Sequence, residues 1–192
     1  CRGVTTILTA ALSTDDQRPF TAAGFTPLEH LALMHRSLHP GEPSPPNRST
    51  HRLRRIGRLR LTDALEADAE AFSTFTPFWR FDGAAYTEAC QATDLSRQRC
   101  VLNDGQIVAY AITGRSSTSG FVQRLAVRPS HEGRGIGSAL LADAISWLAL
   151  GGVRDVWVNT QPDNDRARAL YRRHGFGEKA EGLTVLQYET AR

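Results

Sequence analysis

A mixed, mostly antiparallel sheet flanked by helices, an α/β fold of the α+β kind, is what this sequence predicts, on three observations. Strand-like apolar runs alternate with longer apolar-periodic stretches, of which Ser138–Leu150 and Asn164–His174 are the clearest helices. Asn103-Asp104-Gly105 joins two of those runs as a tight hairpin, which requires antiparallel neighbours. Gly133, Gly135 and Gly137 separate a third run from a helix, the pattern of a strand–loop–helix turn.

Taken in order, Val4–Leu12 is β-branched and strand-like, Asp15–Ala23 reads as a short helix capped by Ser13 or Thr14, and Leu28–Leu38 is strand-like again. His39–Asn47 is dense in proline, stiff and unable to enter a sheet interior, so it marks a linker over residues 39–51 between a short segment (1–38) and the main domain (52–192). In that domain Arg55–Leu61 is predicted as a strand, with Thr62 capping a helix from Asp63 to about Phe72. A loop with Pro77, Phe78 and Trp79 leads to a second helix near Asp82–Ala92. Arg97–Leu102 and Gln106–Gly114 form the hairpin, and Gly120–Val127 is a third antiparallel strand. The glycine loop, the helix from about Ser138, a strand Val153–Asn159, the helix Asn164–His174 and two last strands ending near Tyr188 complete the chain.

The 192 residues suffice for one good core, or one core plus a fragment. Hydrophobic content of 41% and charged content of 22% are ordinary for a globular protein. No apolar run approaches the roughly 20 residues that span a bilayer, so no membrane partner is expected. Three cysteines, Cys1, Cys90 and Cys100, are odd in number and not spaced as a metal site. They suit a reducing compartment, and a cytoplasmic protein without metal is expected. The net charge of +3 is modest and almost wholly arginine, Lys179 being the single lysine. The densest basic run, Arg48 to Arg60, fits either a nucleic-acid surface or a solvated strand edge. The second is preferred, so no nucleic-acid partner is expected.

Alternate glycines at a helix start let backbone approach a ligand closely, and first-turn N–H groups have no internal acceptors. Together with the helix dipole they suit a pyrophosphate. The loop lacks the Gly-Lys-Ser/Thr ending of an NTPase phosphate loop. It is also a poor match to a dinucleotide fold, whose glycines follow the first strand of a βαβ unit with an acidic residue about 20 residues on for a ribose, whereas here Gly152-Val153-Arg154-Asp155 begins another strand without that pattern. A coenzyme A ligand remains, held by main chain at its pyrophosphate and by an open strand edge along its pantetheine arm.

Two motifs then give the chain a family likeness. The loop reads Glu132-Gly133-Arg134-Gly135-Ile136-Gly137, and a later block reads Asn164-Asp-Arg-Ala167-Arg-Ala-Leu170-Tyr171-Arg-Arg-His-Gly175-Phe176. Over residues 52–192 the sequence resembles the GNAT superfamily of N-acetyltransferases. The family's acetyl-CoA motif is Gln/Arg-x-x-Gly-x-Gly/Ala after a strand, and its later block is Asn-x-x-Ala-x-x-Leu-Tyr-x-x-x-Gly-Phe. Glu132 stands where Gln or Arg is usual.

The resemblance implies acetyl-CoA as co-substrate and acetyl transfer to a primary amine of a small molecule or peptide. It implies that Leu125, Ala126 and Val127 hydrogen-bond pantetheine through their backbone, and that Gly133, Arg134, Gly135, Ile136, Gly137 and Ser138 hold the pyrophosphate. The Arg134 side chain either adds a charge-assisted contact or is simply solvated. Asn164 would cap its helix and lie near the cofactor, while Tyr171 would protonate the departing thiolate. A glutamate that serves as base in some members is replaced here by Asn159. Gln123 is no better as a base. Glu88, Asp82, His131 and Glu189 are conceivable, as are a water chain or an amine already partly neutral. The alternative is a non-catalytic acyl-CoA-binding module of the same fold.

Residues 1–38 echo the end of the chain. Gly3-Val4 precedes a strand as Gly152-Val153 does, Ala23-Gly24-Phe25 matches His174-Gly175-Phe176, and Phe20 falls where Tyr171 sits. This segment reads as a non-catalytic β-α-β half of a second GNAT domain, or as a chance arrangement. Its strands need covering by the main domain or by a second chain, as in a homodimer.

Overall fold

The computed structural model describes residues 6–39 and 51–190. They fall into two compact units, residues 6–35 with 158–190, and residues 36–39 with 51–157. Among the strand pairs whose register is described, only Ser119–Val127 with Asp155–Thr160 is parallel and the others are antiparallel, and helices flank the sheet, so the expected mixed, mostly antiparallel α/β architecture is present.

The larger unit is built on strands β3 (Leu53–Arg55), β4 (Leu95–Asn103), β5 (Gln106–Ser116), β6 (Ser119–Val127) and the first half of β7 (Asp155–Thr160). The β4–β5 hairpin turns at Asp104 and Gly105, both with positive φ, as the Asn-Asp-Gly signal requires. Side chains alternate across these strands. Tyr110, Ile112 and Ala126 face helix α2 (Leu61–Ala71) and helix α3 (Gly83–Gln91), forming one core with Ala64, Ala67 and Cys100. Ala109, Ala111, Leu125 and Val127 face the opposite way and pack with Ile136 and Leu140 of helix α4 (Ile136–Leu150).

Three expected boundaries are corrected. The strand expected at Arg55–Leu61 ends at Arg55, because Gly57 turns the chain and accepts the Arg60 N–H into a short 3-10 turn. Helix α2 therefore begins at Leu61, and Thr62 lies inside it instead of capping it. Asp63 fixes that first turn to the sheet, its two carboxylate oxygens accepting the Ile107 N–H at 3.1 and 3.0 Å. Helix α4 likewise starts at Ile136, not near Ser138, because Gly135 takes the N-cap position with φ 77°.

In the smaller unit, β9 (Leu183–Glu189) pairs antiparallel with β1 (Thr6–Leu12) on one side and β2 (Thr26–Ser37) on the other, and β8 (Gly177–Glu178) also pairs with β2. The N-terminal strands are thus covered within the chain. Helix α5 (Asp165–Arg173) ends in a left-handed Gly175 with φ 80°. Phe176 N–H returns to Tyr171 O at 3.1 Å and Gly175 N–H to Arg172 O at 3.0 Å, a Schellman cap, and the Tyr171 and Phe176 rings meet 5.8 Å apart. The short helix α1 (Arg18–Ala22) ends identically: Phe25 N–H bonds Phe20 O at 3.0 Å, Gly24 N–H bonds Thr21 O at 3.1 Å, and the two rings lie 5.5 Å apart. The echo between Phe20 and Tyr171 therefore extends to backbone geometry.

Deleting residues 1–47 strips both partners from β9 and bares Val185 and Leu186, which are buried in the intact chain. The truncated chain is expected to aggregate or self-associate. Light scattering after size exclusion checks this; an unchanged mass and melting temperature would contradict it.

Candidate active site

β6 supplies the first part of the site. Its parallel register with β7 covers Ser119, Gly120 and Phe121, paired with Asp155, Val156 and Trp157. On its other side β6 stays paired with β5 as far as Val127, opposite Ala109. β6 itself runs on to Val127, and Leu125, Ala126 and Val127 are its last residues.

The chain then passes Arg128 and a 3-10 turn (Pro129–His131) into the glycine loop. Gly133 and Gly135 both take positive φ, 72° and 77°. A Cβ at either would meet no atom within 4 Å, so backbone conformation and not crowding demands glycine there. Alternating handedness turns successive N–H groups toward one concavity. Among the described residues, the backbone N–H groups of Gly133, Arg134, Gly135, Ile136 and Gly137 have no protein acceptor; the first bond into the helix is Ala139 N–H to Gly135 O at 3.0 Å. Five N–H groups without a described acceptor at the positive end of a fifteen-residue helix have the chemistry that suits an anion.

The Arg134 guanidinium turns back, donating to Ser130 O at 3.0 Å, while Arg134 O bonds His51 Nε2 at 2.8 Å. Arg134 thus braces the loop. Arg128 donates to Ile107 O at 2.8 Å and faces Asp63, Glu66 and Glu70 of α2, so its charge is engaged within the protein.

On α5, Asn164 is the N-cap, its Oδ1 accepting the Ala167 N–H at 3.1 Å. Asn164→Ala should cost about 1 kcal/mol, typical of a lost N-cap. Thermal or urea unfolding would read this out, and a change near zero would remove the capping role. Tyr171 is buried, 5% exposed, and locked at the cap described above.

The conceivable bases are mostly engaged or solvated. Asp82 caps α3 by accepting the Ala85 N–H at 2.8 Å, and the His131 ring bonds Ser130 Oγ at 2.9 Å. Glu88, Asn159 and Glu189 are exposed. Gln123 Oε1 is buried with no hydrogen-bond partner among the described residues. No cluster of potential metal ligands exists among the described residues, and no described helix is long and apolar enough to cross a membrane.

One cluster went unnoticed in the sequence. Asp68 of α2 is fully buried, and its oxygens accept from Arg124 Nε at 2.7 Å, Arg124 Nη2 at 2.6 Å, Tyr110 Oη at 2.6 Å and Phe81 N–H at 2.8 Å. Burial, with the Asp68 carboxylate beside it, pushes the Tyr110 hydroxyl well above the usual tyrosine range, so it remains a donor. A signal was present. Val122, Arg124 and Ala126 share one strand face, and Ala64, Ala67, Asp68 and Ala71 one helix face, each an apolar row with a single charge.

Residues 58–176 match the model of the Acetyltransferase (GNAT) family. The chain belongs to this family. It is 35% identical over 75 residues to the [ribosomal protein bS18]-alanine N-acetyltransferase of Escherichia coli, a match covering 39% of this chain and 51% of that protein. Against the mycothiol acetyltransferase of Kocuria rhizophila, identity is 31% over 120 residues, covering 62% of this chain and 36% of the relative. The chain thus spans about half the length, or less, of these curated relatives. In fold it resembles an N-acetyltransferase of Thermoplasma acidophilum solved in complex with coenzyme A, with a TM-score of 0.59 at 12% identity over 74% of this chain and all of that one.

Proposed function

We propose that this GNAT chain is an acetyl-CoA-dependent N-acetyltransferase acting on a primary amine of a small molecule or peptide. The observation that carries the proposal is the row of unsatisfied amides from Gly133 to Gly137 at the start of α4, continuous with the β6 edge. The amides take the pyrophosphate, with Ser138 completing the turn, and the pantetheine arm runs back along Val127, Ala126 and Leu125. The amine nitrogen attacks the thioester carbonyl, the carbon–sulfur bond breaks, and the thiolate leaves with a proton from Tyr171. An ammonium first gives one proton to water, unless the amine arrives neutral; the second proton leaves the nitrogen for water as the amide forms, since Asn159 and Gln123 cannot accept one, and water returns a proton to Tyr171. Asn164 sets the start of the helix that carries Tyr171. The repeated Schellman cap at Phe20 supports residues 1–38 as a half-copy of the same fold, without a hydroxyl and so without a catalytic role.

The second reading, a binding module without turnover, is favoured by the absence of a carboxylate at Asn159. One experiment separates the two. Acetyl-CoA and a panel of small and peptide amines are incubated with the chain, and free thiol release and acetylated product are measured. Amine-dependent release supports the transferase. Saturable acetyl-CoA binding with no release from any amine leaves the binding module.

A further inference from the structure

We propose that the buried Asp68–Arg124 pair is a positioning device for the acceptor amine, clamping the aromatic segment Phe72–Asp82 onto β6 so that it forms a wall of the amine pocket. This rests on the transferase reading above.

The clamp has four parts. Arg124 forks onto both oxygens of Asp68 and donates a third bond, from Nη2, to Trp79 O at 2.6 Å. Asp68 Oδ1 also accepts the Phe81 N–H, so the pair holds main chain on both sides of Arg80. The guanidinium carbon lies 3.5 Å from the Phe72 ring centroid and 4.0 Å from that of Phe81, filling the space between the ends of the segment. With Tyr110 adding the fourth bond, both lone pairs of each Asp68 oxygen are used.

Such a pair is a poor way to gain stability, because apolar residues of similar volume often do as well. It is a good way to fix geometry, since a planar fork fails if either partner shifts. Its place on β6 says which geometry matters. With the pyrophosphate at α4, the pantetheine arm runs from Val127 back along β6, which brings the thioester alongside Val122 to Arg124. Arg124 projects from that point to the α2–α3 face, opposite the face on which Leu125 and Val127 meet α4. The amine, entering from the side not taken by the cofactor's phosphates, meets the segment Arg124 holds. Its Phe75, Phe78 and Trp79 are half-buried, and the last two rings lie 4.6 Å apart, tilted by 38°.

The test uses the full chain and an amine acetylated by the parent. Asp68→Leu combined with Arg124→Met removes the clamp while leaving no buried charge. Arg124→Lys keeps the charge but loses the fork, and covers the case in which the double variant does not fold. In either folded variant the KM for the amine should rise about tenfold or more, with kcat and acetyl-CoA affinity within about twofold of the parent. Hydrogen exchange at the Phe81 amide should quicken in the double variant. A merely structural pair would move the melting temperature and leave the amine KM unchanged, and that result overturns the proposal, as does a rise confined to acetyl-CoA. A parent that acetylates no amine strikes instead at the transferase reading.

Discussion

Acetyl-CoA binding is expected to fall by about 100-fold or more when Gly135 and Gly137 are both replaced by valine. Gly135 has φ 77°, a region where an L-residue costs roughly 1–2 kcal/mol and a β-branched one is worst placed. Relief of that strain rotates the peptide and turns N–H groups away from the concavity. Each charge-assisted bond to phosphate lost in this way is worth about 1.5–3 kcal/mol. At Gly137, in the first turn of α4, a valine stands beside the amides that would meet the anion. The cost to the fold is smaller: a loss of about 1–2 kcal/mol lowers the melting temperature of a chain this size by roughly 2–8 °C. Calorimetry at 25 °C on the folded double variant separates the two effects. Binding like that of the parent would remove the phosphate role from this loop.

Tyr171→Phe is expected to reduce kcat by about 10²–10⁴-fold, the usual worth of a positioned proton donor, with acetyl-CoA affinity unchanged. The position suits so clean a comparison. The ring is buried, its contact with Phe176 is apolar, and the cap that orients it uses backbone atoms only. The substitution keeps the ring and removes only the hydroxyl, at a stability cost of about 1 kcal/mol. An unchanged kcat, in a single-turnover regime where chemistry limits the rate, would assign the proton to water and leave Tyr171 a packing residue.

What was legible in the sequence was local. Asn103-Asp104-Gly105 specifies its hairpin because a two-residue turn with positive φ has few chemical solutions. Gly175-Phe176 specifies the end of α5 because a Schellman cap needs glycine and then an apolar residue. The glycine loop is legible for the same reason, although the helix starts two residues earlier than its apolar periodicity suggests, with Gly135 itself as cap. Non-local features were not legible. Arg55–Leu61 carries apolar residues that suit either a strand or a turn leading into a helix, and the Asp63–Ile107 bond, 44 residues apart, helps fix the helix. Nothing in Thr6–Leu12 says that its partner is β9, at the other end of the chain. The Asp68–Arg124 pair was half-legible: each charge is anomalous on its own apolar face, but only the fold brings the two together.

The central claim is that one strand edge and one helix start, residues 125–127 and 133–138, hold the cofactor. Amide chemical shifts of the isotopically labelled chain, followed as coenzyme A is added, test it most directly. The account predicts saturating shifts concentrated at the amides of Leu125 to Val127 and Gly133 to Ser138, with the loop glycines moving most. Saturating shifts that spare these residues and fall elsewhere, or no shifts at millimolar coenzyme A, would contradict it.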